Sequence, residues 1–177
     1  MSSFIKCFNS LLLLLAAVTV FTACKKEERE PPFNAASLSS GRAAIKFTTS
    51  KAIAGSTEFN INNTPSTVAT NQPLSGTTVR NVVLEATELY NNAPTRKAII
   101  SMAVRPNSTE PINLARTSGL PLGFIHIESF AFLGYTRRSQ SGTITITRFT
   151  ATEIEGAFTA SFDDGTVIEN GKFAGSF

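Results

Sequence analysis

The sequence predicts an all-β domain, either an antiparallel β-sandwich or a small closed β-barrel of about 8–10 strands. Three observations lead there. From Gly41 onward the apolar residues recur at every second position rather than every 3.6. No segment keeps an amphipathic helical period beyond about two turns, so helix–strand alternation and a parallel sheet are not expected. Clusters of Gly, Asn, Asp, Ser and Pro punctuate the apolar runs at short intervals.

In chain order, Ala43, Ile45 and Phe47 alternate with Arg42, Ala44 and Lys46, and Thr57–Ile61 reads as a short partner strand. Asn62–Gly76, rich in Asn, Thr, Ser and Pro, reads as a loop. Thr78–Thr87 and Lys97–Val104 read as strands separated by Tyr90-Asn91-Asn92-Ala93-Pro94, with Ala98, Ile100, Met102 and Val104 facing inward. A second loop is expected over Arg105–Leu120. Leu122–Tyr135 is apolar on both faces, so it is a central strand or two strands joined at a bend near Ser129 or Gly134. Gly142–Arg148 gives the clearest alternation, with Ile144 and Ile146 on one face and three threonines on the other. Beyond it, Ile154, Phe158, Ala160 and Phe162 oppose Glu153, Glu155, Thr159 and Ser161, with a bulge or bend at Gly156. Asp163-Asp164-Gly165 supplies a hairpin turn. Asn170-Gly171 marks another turn or a bulge before a last strand carrying Phe173, Gly175 and Phe177 on one face.

Composition fits a folded domain: 42% of residues are hydrophobic and 16% charged, with 14 Phe and no Trp. The N-terminus has Lys6, the apolar run from Leu11 to Phe21, then Thr22-Ala23 before Cys24. That is the three-part layout of a secretory signal. As a helix the run would reach only about 16 Å against roughly 30 Å of bilayer hydrocarbon, so it is too short for an ordinary membrane span. Phe21-Thr22-Ala23-Cys24 resembles a lipobox, with Phe21 where Leu is commonest. The reading is a signal peptide over 1–23, lipidation at Cys24, a tether over 24–41 and one β domain over 42–177. If flexible, Lys25–Gly41 has a root-mean-square reach of roughly 23 Å. Two or more acyl chains anchor stably where one is marginal.

Without Lys6 the 16 basic residues become 15 against 13 acidic ones, too mild a balance to imply nucleic acid. Cys7 falls in the leader and Cys24 at the cut, so an internal disulfide is not expected.

The run Ser141-Gly142-Thr143-Ile144-Thr145-Ile146-Thr147-Arg148, then Gly156-Ala157-Phe158, then Asn170-Gly171-Lys172-Phe173 resembles the ending of a family of Bacteroidetes lipoprotein domains. That family shares Gly-Thr-(β)-Thr, Gly-(Thr/Ala)-Phe and Asn-Gly-(Lys/Arg)-Phe elements. The resemblance covers roughly the last 37 residues and the leader. It implies envelope location and β structure, and no particular activity. The absence of Asp after Cys24 implies, by resemblance to known lipoproteins, outer-membrane sorting; Lys25-Lys26-Glu27-Glu28 leaves periplasmic and surface orientation both open.

Residues for catalysis are few. One His and one Cys follow the leader, too few for a zinc or haem site, so no metal and no cofactor are expected. His126 and Glu128 share a strand face beside Ser129, but Ser129 should point the other way and no Gly-x-Ser-x-Gly elbow occurs. Glu153 and Glu155, about 6.5–7 Å apart by strand rise, have the spacing of an inverting glycosidase pair, yet any solvated sheet face offers such pairs. Asp163-Asp164-Gly165 lacks the further oxygens of a calcium loop. Tyr135-Thr136-Arg137-Arg138 combines an aromatic with two cations that could meet a glycan or a phosphate. The expected function is therefore a lipid-anchored envelope domain that binds or interacts and is not an enzyme. A lipocalin-like barrel for a small apolar ligand and an envelope hydrolase are the alternatives.

Overall fold

The computed structural model describes residues 33–108, 110–114, 122–130 and 135–177. Within them the chain forms eleven strands in two antiparallel sheets that face each other as a sandwich, not a closed barrel. The strands are β1 (Ala43–Ile53), β2 (Ser56–Asn62), β3 (Thr67–Pro73), β4 (Arg80–Tyr90), β5 (Ala93–Val104), β6 (Ile112–Asn113), β7 (Gly123–Ser129), β8 (Tyr135–Arg138), β9 (Ser141–Phe149), β10 (Glu153–Ser161) and β11 (Val167–Ser176). One sheet runs β2-β1-β11-β10-β9-β6 and the other β3-β4-β5-β7-β8. Each therefore has two edge strands, which a barrel would have joined.

The alternating faces meet in one core. Val82, Leu84 and Ala86 of β4, then Ala98, Ile100, Met102 and Val104 of β5, and Ile125 and Ile127 of β7, are buried from one side. Ile45 and Phe47 of β1, Phe59 of β2, Ile144 of β9, Ile154 and Phe158 of β10, and Ile168 and Phe173 of β11 close it from the other. Phe47 stacks on Phe59 at 4.9 Å and meets Phe158 edge-on at 6.0 Å. The aromatic side chains that a ligand barrel would turn toward a cavity are here packed on one another.

Irregularities in the ladders keep this inward set in phase. Opposite Glu155 and Gly156, β9 carries one extra residue, Thr147, so the bulge expected at Gly156 lies there but its additional residue belongs to the partner strand. The shift leaves Phe149, rather than Arg148, packed against the core. A second register shift across Glu169-Asn170 returns Ile168 to the interior, so Asn170-Gly171 is a bulge within β11 and not a turn. Asp163-Asp164-Gly165 is the expected hairpin turn: Gly165 has φ +75° and Thr166 N donates to Asp164 Oδ1 at 2.9 Å.

Other expectations are corrected. Asn62–Gly76 is not a loop throughout, because Thr67–Pro73 pairs residue by residue with β4. As an edge strand with a solvated face, β3 needs few apolar residues, so its Thr, Asn and Gln content mimics a loop. Arg105–Leu120 holds the two-residue β6, which pairs Ile112 with Ile144; residues 115–120 lie outside the described part. For Leu122–Tyr135 the two-strand alternative is nearer, with β7 ending at Ser129 and β8 starting only at Tyr135, and β7 alternates cleanly once Phe124 is seen covered by Arg138. Gly134 lies outside the described residues.

The domain also starts earlier than Arg42. Residues 33–41, assigned to the tether, pack on the outer face of the six-stranded sheet through a short 3₁₀ turn at Ala35–Ser37. Phe33, Ala35 and Leu38 cover Ala44 and Ala174, which explains why Ala44 is buried against the alternation. Asn34 caps the turn by accepting from Ser37 N at 3.0 Å, and Gly41 N donates to Ser176 O at 2.8 Å. Residues 24–32 lie outside the described part.

Candidate functional site

The residues singled out for chemistry do not gather at one site, although two sets of them meet: His126 with Glu128, and Arg137 with the Asp163-Asp164 turn. Cys24 lies outside the described residues. His126 Nε2 is 3.0 Å from Glu128 Oε1 on the outer face of β7, whereas Ser129 turns inward and is buried, so the three do not form a triad. Glu153 holds Arg148 at 2.7 Å, and Glu155 Oε1 accepts from Ala35 N at 2.7 Å. Both carboxylates are thus engaged by the domain itself. Arg137 lies 3.2 Å from Asp163 and 3.8 Å from Asp164 across the hairpin turn. Arg138 lies over Phe124, its guanidinium carbon 4.1 Å from the ring centre. Among the described residues no three His, Cys, Asp or Glu side chains gather as a metal site.

The residues that do converge sit at one end of the sandwich. Glu88, near the end of β4, and Arg96, near the start of β5, are cross-strand partners, with Thr95 as the extra residue of a bulge beside them. Both have the inward parity of their strands, so the pair points between the sheets where β1 and β2 join. Arg96, 4% exposed, spends all five of its N–H groups on protein acceptors. Nε donates to Glu88 Oε2 at 2.7 Å and Nη2 to Glu88 Oε1 at 2.7 Å, a bidentate fork. Nη2 also donates to the Glu58 carbonyl at 2.6 Å, and Nη1 to the Ile53 and Ser56 carbonyls at 3.4 and 3.2 Å. The guanidinium lies 5.5 Å from the Phe59 ring centre. One side chain thereby ties the β4–β5 hairpin of one sheet to the β1–β2 hairpin of the other.

The Arg96 fork, with help from Thr95, holds the Glu88 carboxyl below its ordinary value of 4.5, against an opposing upward push from partial burial. Beside the pair opens a recess of about 510 Å³, walled by Ser56, Glu58 and Asn60 on one hairpin and by Glu88, Leu89 and Tyr90 on the other. Glu88 and Arg96 fall just outside the strands expected from the sequence, Thr78–Thr87 and Lys97–Val104. A signal was present: both charges fall in phase with the apolar set Val82, Leu84, Ala86 and Ala98, Ile100, Met102. Opposite charges at inward positions of adjacent strands are costly unless paired.

The Gly-Ala-Phe and Asn-Gly-Lys-Phe elements near the C-terminus have a structural role. Gly156 faces Phe173 and Phe158 faces Gly171 across β10 and β11. Each ring occupies the space a side chain on the opposing glycine would need. Gly-Ala-Phe and Asn-Gly-Lys-Phe are therefore two halves of one reciprocal packing unit.

Comparison with protein-family models, with curated proteins and with solved structures gives no match for this chain.

Proposed function

We propose that this chain is a bacterial envelope lipoprotein whose leader is cut before Cys24, whose Cys24 carries the lipid, and whose sandwich domain works by binding rather than by catalysis. The sorting signals place it at the outer membrane in this reading, facing the periplasm or the surface. Lys25–Pro32 are then the tether, shorter than the sequence suggested because the folded domain begins at Phe33.

The observation that carries the binding reading is the engagement of the catalytic candidates. Glu153 and Glu155 serve Arg148 and the Ala35 amide, and His126 is paired with Glu128 on the partly covered outer face of β7, away from Ser129. A general acid or nucleophile must instead meet a substrate within hydrogen-bond reach. The sandwich architecture supports the same reading, since its loops and hairpin ends present surfaces on a rigid frame.

Anchoring is tested by Cys24→Ala, with acylation followed by a labelled fatty acid and location by membrane fractionation. Loss of label and release from the membrane is expected; retained label overturns the anchor. The binding reading is tested by complementing a deletion strain with a His126→Ala/Glu153→Gln double variant. Full complementation is expected, and failure by a folded variant overturns it in favour of a hydrolase.

A further inference from the structure

The recess beside the Arg96 clamp has a composition that selects for a class of ligand. Its volume, about 510 Å³, lies within the roughly 300–1,000 Å³ of small-molecule sites. Its mouth carries Tyr90, 72% exposed, and Leu89, 49% exposed, the last two residues of β4. Neither is loosely held. Tyr90 pairs with Ala93 across a two-residue turn in which Asn91 and Asn92 have φ of +50° and +62°, the backbone of a tight hairpin. Arg96 then fixes that hairpin to the opposite sheet. An aromatic ring is thus presented to solvent on a fixed backbone, with little backbone entropy left to lose on binding.

The polar lining narrows the choice. Anions find no donor in Arg96, because its five N–H groups are committed to Glu88 and three carbonyls. Its charge offsets that of Glu88. What remains among the polar lining residues is Glu58, Asn60 and Tyr90, the last with an exposed ring. This set accepts hydrogen bonds from hydroxyls and offers an apolar plate to C–H groups. Those are the two faces of a sugar ring.

We propose that the recess between the β1–β2 and β4–β5 hairpins binds a neutral saccharide, with Tyr90 as the platform and Glu58 and Asn60 as hydroxyl acceptors. The proposal rests on the reading of this domain as a binding module and not on its lipid anchor.

The test titrates the purified full chain with cellobiose, mannobiose, chitobiose and maltose, using inorganic phosphate and lysine amide as comparators, and reads amide NMR shifts. At least one disaccharide is expected to move the signals of Glu58, Asn60 and Tyr90. Tyr90→Ala should weaken it about tenfold and Glu58→Gln by about threefold, the weight of one aromatic contact and one hydrogen bond. Both side chains are exposed, so the variants should keep the parent melting temperature. The proposal is overturned if no disaccharide binds, if phosphate or lysine amide binds instead, or if binding ignores both substitutions. Should it fail while the His126→Ala/Glu153→Gln variant still complements, only the ligand class falls. Failed complementation removes the binding reading itself.

Discussion

The ring of Phe158 on β10 lies directly over Gly171 on β11, with ring carbons 2.5 Å from where a Cβ on that glycine would stand. A side chain at 171 and the ring at 158 cannot both keep their places. Because Phe158 is 3% exposed and meets Phe47 and Phe173, the ring has no free direction in which to yield.

Gly171→Ala should therefore destabilise the domain by about 1–3 kcal/mol, the usual cost of overpacking. Combined with Phe158→Leu, its effect should fall below the sum of the single changes, because the smaller side chain vacates the contested space. Urea unfolding of the four proteins measures this coupling, and strict additivity would contradict the packing described.

Arg96→Ala should cost about 3–5 kcal/mol, since it leaves Glu88 and three carbonyls without their partner at once. Arg96→Lys should recover little of this. A lysine ammonium has three donors on a flexible stem and cannot reproduce the fork on Glu88 together with the three carbonyls. Thermal melts of both variants provide the comparison.

The same pair makes stability acid-sensitive. A carboxyl whose pKa is lowered on folding binds its proton more weakly in the native protein than in the unfolded chain. Glu88 therefore stabilises the fold fully above its ordinary 4.5, and that contribution disappears as the pH falls through the lowered folded-state value. Melting temperatures recorded from neutral pH downward should drop over that window, and Glu88→Gln should flatten this part of the profile while lowering stability at neutral pH.

Glu155 is expected to matter for holding residues 33–41 rather than for chemistry. Removing its contact with Ala35 N by Glu155→Ala should cost about 1 kcal/mol and expose 33–41 to limited proteolysis. Cleavage within that segment, with the sandwich left intact, is the expected pattern. Equal resistance in both proteins would show that Phe33 and Leu38 suffice to dock it.

His126→Ala should change stability by no more than about 1 kcal/mol, as befits a partly exposed pair with Glu128 on the sheet surface. A larger loss in a chemical-denaturation series would assign this histidine a role that its position does not supply.

Strand parity made the interior legible from the sequence wherever one face is apolar and the other solvated. Ala98, Ile100, Met102 and Val104 were readable as inward, as was Ile144. It failed where a strand buries little, as in β3, and where a second layer covers the outer face, as at Ala44 under Phe33 and Leu38. The two sheets were not separable from a barrel because closure depends on which strands pair, a long-range property that alternation does not encode. The recess was missed for a related reason. Glu88 and Arg96 reveal themselves only when read against the phase of their strands, and the carbonyls that accept from Arg96, those of Ile53, Ser56 and Glu58, lie on the other sheet.

The middle of the six-stranded sheet is β11, flanked by β1 and β10, with Ala43 of the first strand pairing with Gly175 of the last. A polypeptide made from its N-terminus delivers these partners at opposite ends of its synthesis. The β1–β2 hairpin and the β3-β4-β5-β7 meander can assemble as they arrive, yet the larger sheet stays in two pieces until Val167–Ser176 emerges to join them. The larger sheet is therefore completed last, by the segment that reaches the fold last.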